Sequence, residues 1–199
     1  MKTFVPTLAV LAFAVSGVTG SIQAQEEKET VSESKNVNLV METSKGTIKI
    51  ELDAEKAPNT VANFVKYVEK GHFDGLIFHR VIPNFMIQGG GFTPDMNQKA
   101  TDAPIKIESK NGLKNVRGSL AMARTSDPNS ASSQFFINLK DNSFLDYPGQ
   151  DGYGYTVFGK VTEGMDAVDE IAKVPTGRKN GMGDVPTEAV VITSVKIAE

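Results

Sequence analysis

The residues best placed to do chemistry lie in one run, Phe78-His79-Arg80-Val81-Ile82-Pro83-Asn84-Phe85-Met86-Ile87-Gln88-Gly89-Gly90-Gly91-Phe92. It sets one permanent cation, Arg80, and one amide, Gln88, among apolar side chains, and it ends in glycine. The set contains no activated nucleophile and no strong base. It suits a catalyst that grips an apolar ring and aims rigid donors at the amide beside it. The amide preceding proline has that shape, so the run points to isomerisation of a peptide bond rather than hydrolysis. Rotation about such a bond faces a barrier of about 20 kcal/mol. At the twisted midpoint the nitrogen pyramidalises and its lone pair can accept a hydrogen bond. Arg80 could donate that bond or act through the neighbouring carbonyl. An interaction made mainly in the transition state raises the rate instead of merely holding substrate. No proton transfer, metal or cofactor is needed.

Other chemistries find less support. Two histidines and no cysteine argue against a zinc site. Ser132 and Ser133 have no evident base partner. Gly89-Gly90-Gly91 lacks the Lys-Ser/Thr that follows in a phosphate-binding loop, and reads as a tight backbone passage behind a pocket. His79 reads as a structural hydrogen-bonding residue and His72 as a surface residue at a helix end. Taken alone, an arginine beside a strand is more often a surface ion-pair residue, and apolar residues are more often core. Exposure separates these cases, and sequence does not display it.

Composition narrows the setting. The chain has 199 residues with a formal charge of −3, enough for one well-buried domain. Lys2 followed by the apolar stretch Phe4–Val18 and by Ile22-Gln23-Ala24 reads as a secretory signal, residues 1–24, cut after Ala24. The alternative is an uncleaved anchor, but the stretch is shorter than the roughly 20 residues a span needs. Cleavage leaves the chain one unit more negative, with no reason to expect nucleic acid or an anionic membrane as partner. Without cysteine there is no disulfide framework, so an exported domain relies on its core. Residues 25–36 are polar and charged and read as a flexible linker. The folded domain is expected over residues 37–199.

The elements that must position the run are mostly strands. Asn38–Thr43 and Thr47–Leu52 flank the turn signal Ser44-Lys45-Gly46 and form a hairpin with one buried face. Further strands are expected at Ile77–Ile82, Ile105–Glu108, Ser119–Arg124, Gln134–Leu139, Thr156–Val161 and Ala189–Ile197. In the last of these Val191, Thr193 and Val195 share a side. Pro58–Lys70 carries Val61, Phe64, Val65 and Val68 at helical spacing, with Pro58 in the first turn and Gly71 at the C′ position. A second helix is expected over Gly164–Val174, with Met165, Val168 and Ile171 inward. The pattern suggests an antiparallel barrel with helices over its open ends, although strand number alone does not separate barrel from sandwich.

The run from Phe78 to Phe92 resembles the signature of the cyclophilins. Ala57-Pro58-Asn59-Thr60-Val61-Ala62-Asn63-Phe64, Gly118-Ser119-Leu120-Ala121-Met122-Ala123, Ser133-Gln134-Phe135-Phe136-Ile137, Phe144-Leu145-Asp146 and Val157-Phe158-Gly159-Lys160-Val161 resemble that family's other motifs in order. The likeness extends from about Val37 to the C-terminus. It implies a mainly β fold, a closed eight-stranded antiparallel barrel capped by two α-helices. It implies peptidyl-prolyl cis–trans isomerase activity, with no cofactor and no metal. It matches Arg80 to the catalytic arginine and Phe85, Met86, Phe136 and Leu145 to the proline pocket. Gln88, Ala123, Arg124 and Gln134 match positions along the substrate groove. Phe144 stands where many cyclophilins carry tryptophan, and Tyr155 where they carry histidine, after the insertion Tyr147-Pro148-Gly149-Gln150-Asp151-Gly152. That pattern resembles the exported bacterial branch, which implies a periplasmic protein. Loss of the indole N–H implies weak cyclosporin binding with activity retained.

The resulting expectation is a monomeric enzyme acting on proline-containing unfolded or partly folded chains. A non-catalytic proline-peptide-binding chaperone using the same groove is the alternative. A surface adhesin built on the barrel is a more distant one.

Overall fold

Alternating apolar residues build the first two strands of the computed structural model, which describes residues 36–198. The expected signal and nearly all of the linker lie outside the described residues. Strands β1 (Val37–Thr43) and β2 (Gly46–Leu52) pair antiparallel around Ser44-Lys45. Leu39 and Met41 face inward with Ile48, Ile50 and Leu52. They are followed by α1 (Pro58–Glu69), β3 (Phe78–Ile82), β4 (Met86–Gly89), β5 (Ser119–Met122), β6 (Phe135–Asn138), β7 (Val157–Glu163), α2 (Met165–Ala172), β8 (Thr176–Lys179), β9 (Met182–Pro186) and β10 (Ile192–Ile197). Eight strands form one antiparallel sheet in the order β10-β1-β2-β7-β5-β6-β4-β3, and β8 pairs with β9 in a separate hairpin.

The sheet is an open half-barrel, not the closed barrel expected. Its edge strands β3 and β10 form no ladder. They meet through one bridge, Ile77–Val191, and neighbouring bonds such as Phe78 N–H to Val190 O, 2.9 Å. Each edge strand carries a bulge on its paired side, at His79 in β3 against β4 and at Thr193 in β10 against β1, which bends and twists the strand locally. The bulge in β10 also overturns the expected face. Val190, Ile192 and Val195 enter the core, and Thr193 is exposed.

Two further strand expectations change. Ile105–Glu108 is not a strand; its one bridge, Ile105–Ala131, joins it to a residue outside the sheet. Its Glu108 instead caps α1, whose own N-cap, Ala57, has no side-chain acceptor. One carboxylate oxygen accepts the Asn59 N–H (3.1 Å) and the other the Thr60 N–H (2.8 Å), which answers orphan donors and suits the positive end of the helix dipole. Met86–Gly89, within the opening run, is a strand of its own because Pro83-Asn84 turns the chain. Asn84 adopts φ 58° and Phe85 N–H bonds Ile82 O.

Helix α1 ends as its sequence dictates. Gly71 takes φ 60°, its N–H bonds Val68 O, and the next N–H, of His72, bonds Tyr67 O. This termination folds His72 back over the last turn, with its ring 4.5 Å from that of Tyr67. His72 is therefore buried rather than a surface residue, and burial lowers its pKa. Val61, Phe64, Tyr67 and Val68 of α1 and Ala167, Val168 and Ile171 of α2 join the inner faces of the strands in one core. Met165 lies partly buried at its margin. Phe64 anchors the core, stacking on Phe73 at 4.7 Å and meeting Phe135 edge-on at 5.5 Å. Among the described residues no helix is long and apolar enough to cross a membrane.

Candidate active site

The strands that enclose the core turn a second apolar surface outward. Along β3, β4, β6 and β5 the inner residues are Val81, Ile87, Ile137 and Leu120, all in the main core. Their outward neighbours Ile82, Met86, Phe136 and Ala121 form a separate cluster with Val157, Phe85, Ala123, Leu145 and Tyr155. These residues are not ordinary core. Register sets their order, with Arg80 opposite Gln88, Gln88 opposite Phe136, and Phe136 opposite Ala121.

The outer cluster lines a pocket of about 110 Å³ bounded by Arg80, Phe85, Met86, Gln88, Ala123, Arg124, Phe136, Leu145 and Tyr155. That volume is well below the roughly 300–1,000 Å³ of sites for drug-sized ligands, and it suits a single small ring. Residues from distant parts of the sequence converge here. Gln134 stands one step away. It lines an adjoining recess of about 180 Å³ with Gln88, Gln98, Ala123, Arg124, Thr125, Ser130 and Ser132, and its Oε1 accepts a 3.0 Å bond from Gln88 Nε2. Phe144 stays outside the pocket. Its ring is 44% exposed and stacks on Phe85 at 5.8 Å, forming a rim.

The glycine run is the tight passage its composition implies. A Cβ on Gly90, where φ is 83°, would lie 2.9 Å from the Phe135 ring, and one on Gly91 would lie 2.6 Å from the Gln134 side chain. Ser133, buried beside this passage, donates to Gly90 O at 2.8 Å. It serves the backbone and is no nucleophile. His79 is buried against Phe92, ring to ring 4.6 Å, and its Nδ1 has no hydrogen-bond partner. The expected structural hydrogen bond is absent at that atom. Burial first, and Arg80 second, push its pKa down to about 4, which keeps the ring neutral.

Two polar devices fix the far wall. Asn142 Nδ2 donates to Phe85 O (2.9 Å) and to Asn138 Oδ1 (2.7 Å), and Asn138 Nδ2 donates to Asn115 Oδ1 and Ser119 Oγ. Asp146 accepts from the Asn115 N–H at 2.7 Å. This buried network ties the turn bearing Phe85 to the segment bearing Leu145. The second device is Arg124. Its guanidinium donates to Gly154 O (2.7 Å) and Thr125 O (2.9 Å), pairs with Asp151, and lies 4.4 Å from the Tyr155 ring. The hydrogen bond from Arg124, and then those from the Tyr153 and Gly154 N–H groups, hold the Asp151 carboxyl at a pKa of about 2. The insertion is thus pinned to the barrel, and Tyr155 meets Phe136 edge-on at 5.7 Å. Arg124 is spent on this task, whereas among the described residues the Arg80 side chain makes no hydrogen bond and has one ion-pair partner, Asp184, at 3.7 Å.

Sequence reading missed Gln98, Thr125, Ser130, the asparagine network and Asp184. The asparagines carried no periodic signal. The hairpin bearing Asp184 did have one, Asn180-Gly181, the pair that favours a two-residue β-turn. Among the described residues no group of acidic, histidine or cysteine side chains could hold a metal.

The comparisons converge on one family. Residues 38–197 match the family model described as cyclophilin type peptidyl-prolyl cis-trans isomerase/CLD. A peptidyl-prolyl cis-trans isomerase of Streptomyces antibioticus is 58% identical over 159 residues, covering 79% of this chain and 96% of the relative. Peptidyl-prolyl cis-trans isomerase B of Escherichia coli is 54% identical over 163 residues, covering 81% and 99%. A solved cyclophilin type isomerase from Cryptosporidium parvum superposes with a TM-score of 0.72 at 26% identity, covering 83% of this chain and 99% of that one. The same protein was also solved in the presence of the dipeptide Ala-Pro, and that structure gives a TM-score of 0.71. With relatives above half identity spanning nearly their whole length, the chain belongs to the cyclophilin-type peptidyl-prolyl cis–trans isomerases.

Proposed function

We propose that the outward pocket binds the proline ring of an X–Pro segment and that Arg80 stabilises the twisted amide. One observation carries this reading: an apolar recess, separate from the core, has a guanidinium at its mouth that is free to donate. Phe85, Met86, Phe136 and Leu145 grip the ring and exclude water, and Tyr155 closes one side. Gln88, Ala123, Arg124 and Gln134 border the path of the residues preceding proline. With the ring held, the acyl side of the bond rotates. As conjugation is lost, the nitrogen lone pair or the adjacent carbonyl gains strength as an acceptor, and Arg80 meets it there. The arginine neither gives up nor takes a proton.

The substrates on this reading are proline-containing segments of exported proteins whose folding waits on slow isomerisation. The amino-terminal signal pattern supports export to the periplasm, and the protein acts as a monomer. Phe144 offers a ring but no N–H at the rim, so cyclosporin binds weakly while activity is kept.

The test is a protease-coupled proline-peptide assay on the chain lacking residues 1–24. Arg80→Ala is expected to lower kcat/KM by about 10²–10³-fold, the scale of losing one donor aimed at a transition state. Equal activity in both proteins would overturn the role of Arg80. Peptide binding without NMR line broadening from cis–trans exchange would favour the binding chaperone instead.

A further inference from the structure

We infer that Asp184, on the β8–β9 hairpin, is a positioning residue that aims the Arg80 guanidinium into the pocket. The inference rests on Arg80 being the group that meets the substrate amide. Asp184 Oδ2 stands 3.7 Å from Arg80 Nε, and the two side chains are 48% and 44% exposed. The contact is at Nε, the edge nearest the stem, so both terminal nitrogens stay free for the pocket. Among the described residues Asp184 is the only acid within ion-pair distance of Arg80. Exposed pairs of this kind contribute little to stability. Holding a long, rotatable cation in one orientation is the effect left to it.

The backbone gives an independent sign. Asp184 adopts φ 58° inside a strand pair whose register shifts between Gly177 and Lys179. That conformation is uncommon outside glycine, although aspartate and asparagine adopt it more readily than most, and sparsely populated conformations gather where a side chain must be aimed. Bulges beside active sites re-aim side chains in this way. The preceding residue is glycine, and Asp184 itself is not, although glycine would adopt that conformation more readily still. The hairpin is also anchored. Asn180 (φ 49°) and Gly181 (φ 81°) close it. Val185, next to Asp184, is buried with Ile77 and Met96, and Lys179 Nζ donates to Pro94 O at 3.0 Å. A carboxylate on a fixed arm can direct a mobile guanidinium, whereas one on a loose loop cannot.

The test uses Asp184→Asn, which removes the charge and tolerates the same backbone, with Asp184→Gly as a second variant. Turnover and KM are measured separately by NMR exchange with a proline peptide, alongside thermal melting, in wild-type and Arg80→Ala backgrounds. Both variants are expected to lower kcat about two- to fivefold, the scale of an exposed ion pair, with KM and Tm nearly unchanged. Raising salt should bring wild-type kcat down toward that of Asp184→Asn and leave the variant's kcat flat. In the Arg80→Ala background the substitution should have no effect. Normal kcat in both Asp184 variants overturns the inference while leaving Arg80's role intact, as does an equal loss with and without Arg80. Full activity of Arg80→Ala alone overturns the role of Arg80 and this inference with it.

Discussion

Replacing Arg124 with methionine keeps the apolar stem and removes the guanidinium, which isolates the pin that holds the insertion. The side chain is 3% exposed. Its partners respond differently to its loss. Thr125 O and the Asp151 carboxylate are solvent-exposed and rehydrate at little cost. Gly154 O belongs to a buried residue, and an orphaned buried acceptor costs about 1–3 kcal/mol. The Tyr155 ring loses a cation contact of about 0.5–1 kcal/mol. Together these amount to about 1.5–4 kcal/mol, a lowering of Tm by about 3–16 °C for a domain of this size. A typical stability of about 5–15 kcal/mol survives that loss. Amide exchange should quicken at Tyr153, Gly154 and Tyr155, whose N–H groups bond Asp151 and Leu145 O. With its wall loosened, the pocket should show KM raised about three- to tenfold, while kcat stays within twofold because Arg80 is untouched. Melting, hydrogen exchange and the proline-peptide assay read the three consequences. A Tm within about 1 °C of wild type with unchanged exchange would refute the pinning argument. A fall in kcat at constant KM would show that Arg124 acts on the bond rather than on the wall.

Gly90→Ala places a methyl 2.9 Å from the Phe135 ring at φ 83°. Overpacking and strain together should cost about 2–4 kcal/mol, read as a lower Tm; a melt unchanged within error would mean the passage is not tight. His79 has its pKa lowered to about 4, so the unfolded chain takes up a proton near pH 6.5 that the folded chain refuses until about pH 4. Stability is therefore full above pH 6.5 and falls by about 3 kcal/mol as pH drops to about 4. Urea titrations across that window should show the slope in the wild type and lose it in His79→Phe. Phe144→Trp restores an indole N–H at the rim, and should tighten cyclosporin binding about two- to tenfold, the value of one hydrogen bond. Calorimetry showing no gain would separate the rim from cyclosporin recognition.

Much of the fold was legible because its signals are local. The first hairpin alternates apolar and polar residues over a turn signal, and α1 carries its proline, its apolar stripe and its terminal glycine. What escaped depends on contacts far apart in sequence. Ile105–Glu108 looks like a strand, yet its value lies in Glu108 capping a helix 48 residues away. His72 looks exposed at a helix end, but the glycine termination folds it inward. The alternation of β10 fails at Thr193 because a bulge there is a property of the pair and not of the strand. The bulge in β3 is likewise a property of its pairing with β4, and no single-strand pattern announces it.

The site shows the same division more sharply. Strands β3 to β6 are apolar on both faces, so periodicity could not say which of Val81 or Ile82, Ile87 or Met86, Ile137 or Phe136 faced the core. The ordered motifs assigned nine residues that line one pocket, because a motif records a constellation that periodicity does not. The motifs did not reveal what holds the constellation. The asparagine network, the pin at Arg124 and the carboxylate of Asp184 act through other residues, and their chemistry is visible only when partners are seen together. Arg80 and Arg124 illustrate this best. The two residues are chemically identical and border the same pocket, but one has its donors satisfied by the insertion and the other keeps them free. A guanidinium can stabilise a twisted amide only with donors to spare, and among the described residues the Arg80 side chain has one ion-pair partner, Asp184, and no hydrogen bond, which is what the proposed role asks of it.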